Sequence, residues 1–368
     1  MRRLEQIAKS REELVSHKRE LIEQVTTIRE ETVARLPEML AQARQSLEGK
    51  LAKVYLAKDA AEAARILGTL LKGEEQVARA YSSTLAEIGF DALMAGQGTR
   101  VNLTRLEEIV QKEMELPPSG HPHLLILDQP RNTVEESLRR FAGCEDGMPT
   151  AELKRRASEK IKEDVTRCEF GITGVDCIVS EHGSMVLAED EGNLRAVSNL
   201  PYKHIAIAGL EQLVGSAEEA VALVQAASIF ATGRITPTYI SFISGPSRTG
   251  DIEFRMAYGM HGPREVHVIL LDNGRTAIRE RGAGVLLQCI DCGSCYESCA
   301  ELAQRQGWKD GALSEGLKDI TLTAKGLALG LVQGRLPRPQ AKLTMSEFLC
   351  PVGLSAEAVT LGLEKVLS

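Results

Sequence analysis

Short β-branched segments separated by glycines are the feature that most limits the fold of this chain. Helical stretches such as SAEEAVALVQAASIFATG (216–233) lie between some of them. Strands that alternate with helices predict an α/β domain with a substantially parallel sheet. We place this domain at residues 49–280, closing after the turn signal DNGR (272–275). The predicted strands are CIVS (177–180), SMVLAED (184–190), HIAIAG (204–209), TYISFISG (238–245) and VHVILLDNG (266–274).

The N-terminal segment, residues 1–48, is predicted to be a helical arm. Its apolar residues recur at three- and four-residue steps or multiples of them, which favours one long amphipathic helix. Arg11 and Lys18 interrupt the stripe, so a long autonomous coiled coil is not expected. The helix could pack on its own domain or dock a partner subunit. The apolar positions are Leu4, Ile7, Leu14, Leu21, Val25 and Ile28.

The remaining segments are mainly helical by pattern. Residues 50–120 suggest helices broken by glycine and ended by Pro117-Pro118, followed by a short buried strand, HLLILD (123–128). Residues 134–168 are again predicted to be helical. The C-terminal part, 281–368, is predicted to be a helical, ferredoxin-like segment that ends in a capped helix.

Composition and charge exclude several classes of protein. A net charge of −7 argues against nucleic acid or an anionic membrane as the principal partner. The charged N-terminus predicts no signal peptide, and no apolar run is long enough to span a membrane. The eight cysteines are too unevenly spread for a disulfide scaffold, so we expect a reducing, cytoplasmic setting.

Four cysteines in the stretch CIDCGSCYESCA (289–300) follow C-x2-C-x2-C-x3-C, the spacing of a ferredoxin cluster loop. In that loop a proline follows the last cysteine, but here Ala300 follows Cys299. The missing Cys-Pro pair occurs downstream as Cys350-Pro351. In two-cluster ferredoxins the cysteine before proline ligates the other cluster. A second run ending at Cys350 would need cysteines at positions that hold Gln340, Leu343 and Ser346.

This arithmetic predicts one 4Fe–4S cluster held as iron ligands by Cys289, Cys292, Cys295 and Cys350. The alternative places Cys299 as the fourth ligand. Zinc is the competing metal for any CxxC pair, although three cysteines at these spacings suit a cubane better. We expect the remaining cysteines to be ordinary buried thiols: Cys144, Cys168 and Cys177.

Two further segments carry a resemblance to a known family. They are GITGVDCIVSEHGSMVLAEDEGNLRAVSNLPYKHIAIAGLEQLV (171–214) and GPREVHVILLDNGR (262–275), followed by the ferredoxin loop. Together they resemble the lactate-utilisation (LUD) domain family, and within it the iron–sulfur subunit of the three-subunit L-lactate-oxidising system of bacteria. That subunit usually carries two full cysteine runs. The stretch SGPSRTGDIE (244–253) with HGPREVHVIL (261–270) is more similar to the cluster-free LUD subunit.

The resemblance implies a fold like that of the sugar-isomerase and CoA-transferase group, in which ligands bind at strand ends and loops. It makes Glu181, His182 and Glu191 candidate catalytic groups, with Glu181-His182-Gly183 standing where the family has Glu-Thr-Gly. Arg195, Lys203 and Arg275 could bind a carboxylate or phosphate. The alternative is that the glycines only shape turns. The predicted pocket residues are Gly171, Thr173, Gly174, Glu181, Gly183, Glu191, Gly192, Asn193 and Arg195.

The sequence therefore favours an electron-transfer subunit of a multi-subunit oxidoreductase rather than a complete enzyme. The resemblance implies oxidation of L-lactate or a related 2-hydroxy acid, with a cysteine-rich redox protein and a second LUD protein as partners. The alternative is a LUD-domain enzyme or binding protein for a small carboxylate or phosphorylated metabolite, with a structural or regulatory cluster. A third reading is an assembly scaffold whose cluster only fastens the C-terminal tail.

Overall fold

The computed structural model describes residues 2–115, 123, 126, 129–250, 256–295, 323–334 and 349–367. Its strands, in chain order, are β1 Lys53–Ala57, β2 Gln76–Arg79, β3 Arg100–Leu103, β4 Phe170–Gly174, β5 Cys177–Val179, β6 Ser184–Glu189, β7 Lys203–Gly209, β8 Leu213–Val214, β9 Tyr239–Ile243, β10 Arg248–Gly250, β11 Met256–Tyr258 and β12 Glu265–Leu271.

The described helices are α1 Arg2–His17, α2 Arg19–Ala34, α3 Leu36–Gly49, α4 Ala60–Leu70, α5 Ser83–Glu87, α6 Phe90–Gln97, α7 Leu106–Glu113, α8 Arg131–Ala142, α9 Thr150–Thr166, α10 Asn193–Asn199, α11 Ala217–Thr232, α12 Arg275–Ile278, α13 Ala324–Val332 and α14 Ala356–Leu367. Short helical turns lie at Leu210–Gln212, Arg279–Ala283 and Gly284–Gln288.

A six-stranded parallel sheet forms the centre of the protein, in the order β1-β12-β7-β4-β2-β3. Its two faces follow from the period of two along each strand. On β7, Ile205 and Ile207 pack under α4, α5 and α6, whereas Ala206 and Ala208 face α3 and a second sheet. The prediction of an α/β fold with a mostly parallel central sheet is confirmed.

The expectation implied that the five predicted strands share one sheet, but not all of them join the central sheet. β5, β6 and β9 belong to a second, mixed sheet of order β8-β5-β6-β9, in which β6 runs antiparallel to both of its neighbours. The central sheet instead takes β1, β2 and β3 from the region predicted to be only helical. Two of these strands, QVAR and RVNL, have four residues each, too few to show a period.

The N-terminal segment forms three helices rather than one, with breaks at Lys18 and Arg35. The second helix packs into the protein: Val25 and Val33 share a core with Val186 of the second sheet and Val359 of α14. The helix therefore packs on other parts of the same chain, and docking of a partner subunit by the N-terminal segment stays a prediction. The predicted division at residue 48 stays a prediction.

Several predictions fall partly or wholly outside the described residues. Only His123 and Ile126 of the predicted strand 123–128 are described, and Cys299 is not. The capped C-terminal helix is confirmed as α14, before which Ser355 Oγ accepts from Ala358 N at 3.0 Å. No helix in the described part of the chain is long and apolar enough to cross a membrane. The likeness to the sugar-isomerase and CoA-transferase group stays a prediction.

Candidate functional site

A cavity of about 700 Å³ opens at the carboxyl edge of the central sheet. It lies where the chain leaves β2 toward β3 on one side and leaves β4 toward β7 on the other. Neighbouring parallel strands whose connections diverge in this way leave a crevice that commonly binds ligands. The walls include Tyr81 after β2, Asp176 after β4 and Gln212 after β7. The volume is within the range of small-molecule sites.

Helices and the cysteine loop close the opposite side of this cavity. Arg29 of α2 and Ala227 of α11 line it, together with Cys289, Ile290 and Asp291. The cavity is therefore bounded by the N-terminal helices, both sheets and the start of the cysteine loop, residues 289–291. Residues far apart in sequence meet there only because the N-terminal helices fold back over the sheet edge.

A buried chain of ion pairs runs along the sheet edge to the cysteine loop. Arg275, after β12, bonds to Glu211 and lies 2.9 Å from Glu87 through Nη1 and Oε1. Lys325 Nζ then lies 2.9 Å from both Glu211 Oε1 and Asp291 Oδ2. Removing one member of such a chain would leave buried charge unpaired, which is costly. The chain fixes Asp291, and with it the backbone next to Cys289.

Four cysteines line one small pocket behind the larger cavity: Cys289, Cys292, Cys295 and Cys350. The first three are at most 9% exposed, and Cys350 is half-buried. Cys289 and Ile290 line both spaces, so they form a shared wall. The structure thus brings Cys350 to the triplet across a sequence distance that includes undescribed residues.

Backbone N–H groups surround these sulfur atoms. Asp291 N donates to Cys289 Sγ at 3.4 Å. Burial raises the pKa of each thiol, that of Cys350 to about 12, whereas backbone N–H groups that face the sulfurs act to lower it. Two of these groups, Ala324 and Lys325, are the first residues of α13, whose free N–H groups favour negative charge.

The donor set fits a metal–sulfur group in its chemistry, because four thiols converge and N–H groups are placed to stabilise thiolates. The pocket is small, about 20 Å³, roughly the room of one or two waters. Within the described residues, no group of three or more His, Cys, Asp or Glu side chains is arranged to hold a single metal ion. Four converging thiols are nevertheless the ligand set that an iron–sulfur cubane takes, so the chemistry of the donors fits such a cluster.

Three of the predicted pocket residues line the large cavity: Gly174, Glu191 and Asn193. Burial raises the pKa of Glu191, as expected for a candidate acid or base. The other predicted residues are absent from its lining: Gly171, Thr173, Glu181, Gly183, Gly192 and Arg195. Their ligand-binding roles stay predictions.

The polar residues that do not line the cavity form hydrogen bonds with neighbouring residues instead. Thr173 Oγ1 lies 2.8 Å from His204 Nε2 in the core. Glu181 accepts from Ser46 Oγ through its backbone carbonyl at 3.2 Å, and His182 Nδ1 lies 2.9 Å from Ser184 Oγ. Arg195 Nε donates to Glu189 Oε1 at 2.9 Å and stacks over Tyr239.

Glycines 171, 183 and 192 lie where another backbone segment comes very close or where φ is positive. A side chain at position 171 would meet the carbonyl oxygen of Val197, and one at 183 would meet Ser46. Gly192 is the N-cap of α10 with φ of 78°. These contacts agree with the alternative in which the glycines shape the backbone.

Two predicted anion-binding cations are engaged elsewhere. Arg275 is 1% exposed and bonds to Glu87 and Glu211. The expectation that it binds a carboxylate or phosphate ligand is therefore wrong. Lys203 begins β7 at the amino edge of the sheet and lies 3.3 Å from Glu169 Oε1. That edge is opposite the cavity.

Sequence reasoning missed Arg29, Asp176, Glu211 and Lys325, all of which line the cavity. Asp176 lies two residues after the end of β4, so the rule that ligand groups follow parallel strands could have found it. Arg29 carried no comparable signal, since it looked like one more charged residue of an amphipathic helix.

The sequence of this chain is similar to those of several known proteins. A family model described as "LUD domain" matches residues 40–271. "Lactate utilization protein B" of Macrococcus caseolyticus (strain JCSC5402) is 30% identical over 74% of this chain and 56% of its own length. The "Uncharacterized electron transport protein YkgF" of Escherichia coli (strain K12) is 27% identical over 86% of this chain and 65% of its own length.

This chain therefore spans little more than half the length of the "Lactate utilization protein B" relative from Macrococcus caseolyticus. Among solved structures, a DUF162 family protein from Deinococcus radiodurans is 16% identical and covers 64% of this chain and 98% of its own, with a TM-score of 0.36.

Proposed function

Because the chain belongs to the LUD-domain family, we propose that it is an iron–sulfur electron-transfer subunit of a multi-subunit system that oxidises L-lactate or a related 2-hydroxy acid. The names of two relatives support this role, since one refers to lactate utilisation and the other to electron transport. The partners in this proposal are a cysteine-rich redox protein and a second LUD protein.

The observation that carries the proposal is the convergence of four cysteines on one pocket, including the distant Cys350. Cys350 is followed by proline, as the remote ligand is in two-cluster ferredoxins. We propose that Cys289, Cys292, Cys295 and Cys350 hold one 4Fe–4S cluster. Such a cluster exchanges single electrons, at a potential set by hydrogen bonds to sulfur and by burial.

The protein's own residues would set the conditions for that exchange. The N–H groups of Asp291 and of the first turn of α13 face the sulfur atoms and favour the thiolate form. Lys325 places a buried cation beside Asp291. Ser294, which accepts from Arg11 Nη1 at 3.0 Å and donates to the carbonyl of Leu349 at 2.7 Å, ties the triplet to the chain next to Cys350.

The test is iron and acid-labile sulfide per chain in anaerobic protein, with EPR spectra after reduction. We expect about four irons per chain, retained in Cys299→Ser and lost in Cys350→Ser. Cys168→Ser is the matched control, because Cys168 is a buried free thiol whose contacts, Asn102 and Asp164, lie away from the pocket.

Two results would contradict the proposal. Iron loss in Cys299→Ser with retention in Cys350→Ser would make the local loop the complete ligand set. Zinc in place of iron would remove the electron-transfer role.

A further inference from the structure

Asp291 lies inside the cysteine loop, two residues after Cys289 and directly before Cys292. Its backbone has a φ of +55°, a left-handed conformation that is uncommon for residues other than glycine. In this conformation its N–H donates to Cys289 Sγ at 3.4 Å. Backbone of this kind costs free energy, so the surrounding structure has to hold it in place.

Groups from other parts of the chain hold Asp291. Lys325 Nζ lies 2.9 Å from its Oδ2, and the hydroxyls of Thr323 and Ser83 donate to its carboxylate at 2.5 and 3.3 Å. Its carbonyl oxygen lies 3.0 Å from His123 Nε2. Both the backbone and the charge of this residue are therefore fixed beside the cysteine pocket.

The two charges of the Lys325–Asp291 ion pair are shielded from water. The side chains of Lys325 and Asp291 are 7% and 15% exposed. Solvent and salt screen such charges poorly, so each acts more strongly on its surroundings than a surface charge does. A buried ion pair adds little net stability, because the cost of desolvation opposes the attraction. Its place beside the cysteine loop points to a role other than stability.

We infer that the Lys325–Asp291 ion pair sets the reduction potential of the cluster held by the cysteine loop. This inference rests on the proposed function for the presence of that cluster, and it assigns a role to two side chains that are not its ligands. One electron passed on by a redox partner adds one negative charge at the cluster, which a nearby carboxylate opposes and a nearby cation favours. Asp291 therefore lowers the potential, and Lys325 raises it. Asp291 is also a positioning residue, because it aims its N–H at Cys289.

The experiment is an anaerobic redox titration of the whole chain, followed by EPR, in wild type and in single variants. Asp291→Asn keeps the size of the side chain and tolerates the left-handed backbone, but it removes the negative charge. We expect it to raise the equilibrium constant for reduction by about tenfold, which is about 59 mV for one electron. Lys325→Met should lower that constant by a similar factor. A merely structural role would not move the two potentials in opposite directions.

Asp164→Asn is the matched control. The side chain of Asp164 is 16% exposed, close to the value for Asp291, and it pairs with Arg167. The carbonyl of Arg167 accepts from Gln76, the first residue of β2, which places Asp164 near the amino edge of the central sheet, opposite the cavity. The same substitution there should leave the potential close to that of wild type.

Chemical denaturation of iron-free protein tests the ion pair without the cluster. If the two side chains interact, the double variant should lose less stability than the sum of the losses in Asp291→Asn and Lys325→Met. If Lys325→Met fails to fold, the comparison of Asp291→Asn with Asp164→Asn still tests the inference, because only the first should raise the potential.

Several results would overturn the inference and leave the cluster assignment standing. They are an unchanged potential in folded Asp291→Asn, shifts of the same sign in Asp291→Asn and Lys325→Met, an equal shift in Asp164→Asn, and strictly additive losses of stability. Loss of iron from both pair variants would also overturn it, since the pair would then serve cluster retention instead of the potential. Wild type without iron would overturn this inference and the proposed function together, so the iron content separates the two failures.

Discussion

At the scale of single residues, the pKa of Asp176 is set by the protein around it. It is an exposed residue that lines the cavity, and the surrounding protein takes water from its carboxylate and so raises its pKa from 3.8 to about 6. Among the described residues no cation offsets this effect, and backbone N–H groups, including that of Ala188, oppose it. The folded state therefore holds a proton that the unfolded state releases between these two values.

The sign of the resulting pH dependence follows directly. Because the folded pKa is the higher one, stability falls as pH rises from about 4 to about 6, and the loss is complete above that window. We expect Asp176→Asn to be more stable than wild type at about pH 8 and equal to it at about pH 4. Urea unfolding at both pH values measures this. Asp146→Asn, at a side chain 98% exposed, is the control and should show no such difference.

A gain that is the same at both pH values would contradict the assignment, since a packing effect does not titrate.

At the scale of elements, Gly183 sets how closely the second sheet approaches α3. It lies in the turn between β5 and β6 with φ of +65°, and a Cβ there would lie 2.4 Å from the carbonyl carbon of Ser46. The adjacent Glu181 carbonyl accepts from Ser46 Oγ. The turn therefore fastens this sheet to the third N-terminal helix.

Gly143 provides a matched comparison for a substitution. It has the same φ of +65° at the end of α8, but a Cβ there would meet nothing within 4 Å. We expect Gly143→Ala to lower the free energy of unfolding by about 1–2 kcal/mol through backbone strain alone. Gly183→Ala should cost about 1–3 kcal/mol more, because the new methyl group collides with the backbone of α3.

Chemical denaturation of the two variants gives the comparison. Equal losses would mean that α3 moves aside without cost. That outcome would show that the close approach of the β5–β6 turn to α3 does not contribute to stability.

At the scale of the whole molecule, one apolar core joins the two ends of the chain. Val25 of α2, Val186 of β6 and Leu363 of α14 belong to the same cluster, which also contains Cys289. A separate cluster lies between α7, α8 and α9, around Leu138. The N-terminal helices and the C-terminal helix should therefore be protected from amide hydrogen exchange as one unit. The α8–α9 pair should be protected independently of that unit.

Hydrogen exchange tests this coupling. Leu363→Ala, at a side chain 2% exposed, should cost about 2–5 kcal/mol and speed exchange in α2 as well as in α14. Leu138→Ala, at a side chain 1% exposed, is the control and should speed exchange chiefly in α7, α8 and α9. Exchange in α2 that is unchanged in Leu363→Ala would show that the two ends open independently.

The sequence by itself determined the features that arise from local pattern. Alternating β-branched segments predicted β5, β6, β7, β9 and β12, and the period of α14 together with its capping serine predicted the last helix. The x2-x2 spacing placed Cys289, Cys292 and Cys295 on one short loop, and the structure puts all three on one pocket. These features depend on interactions within a few residues, which a sequence displays directly.

Only the tertiary structure decided which sheet each strand joins and which residues line the cavity. β5 and β7 look alike in sequence, but β7 is buried at the centre of the parallel sheet, whereas β5 pairs in the second sheet. Arg29 reaches the cavity because the N-terminal segment breaks at Lys18 and Arg35 and packs back on the core. Such placements arise from contacts between distant segments, whose free energy depends on the whole fold and leaves no periodic trace in the chain.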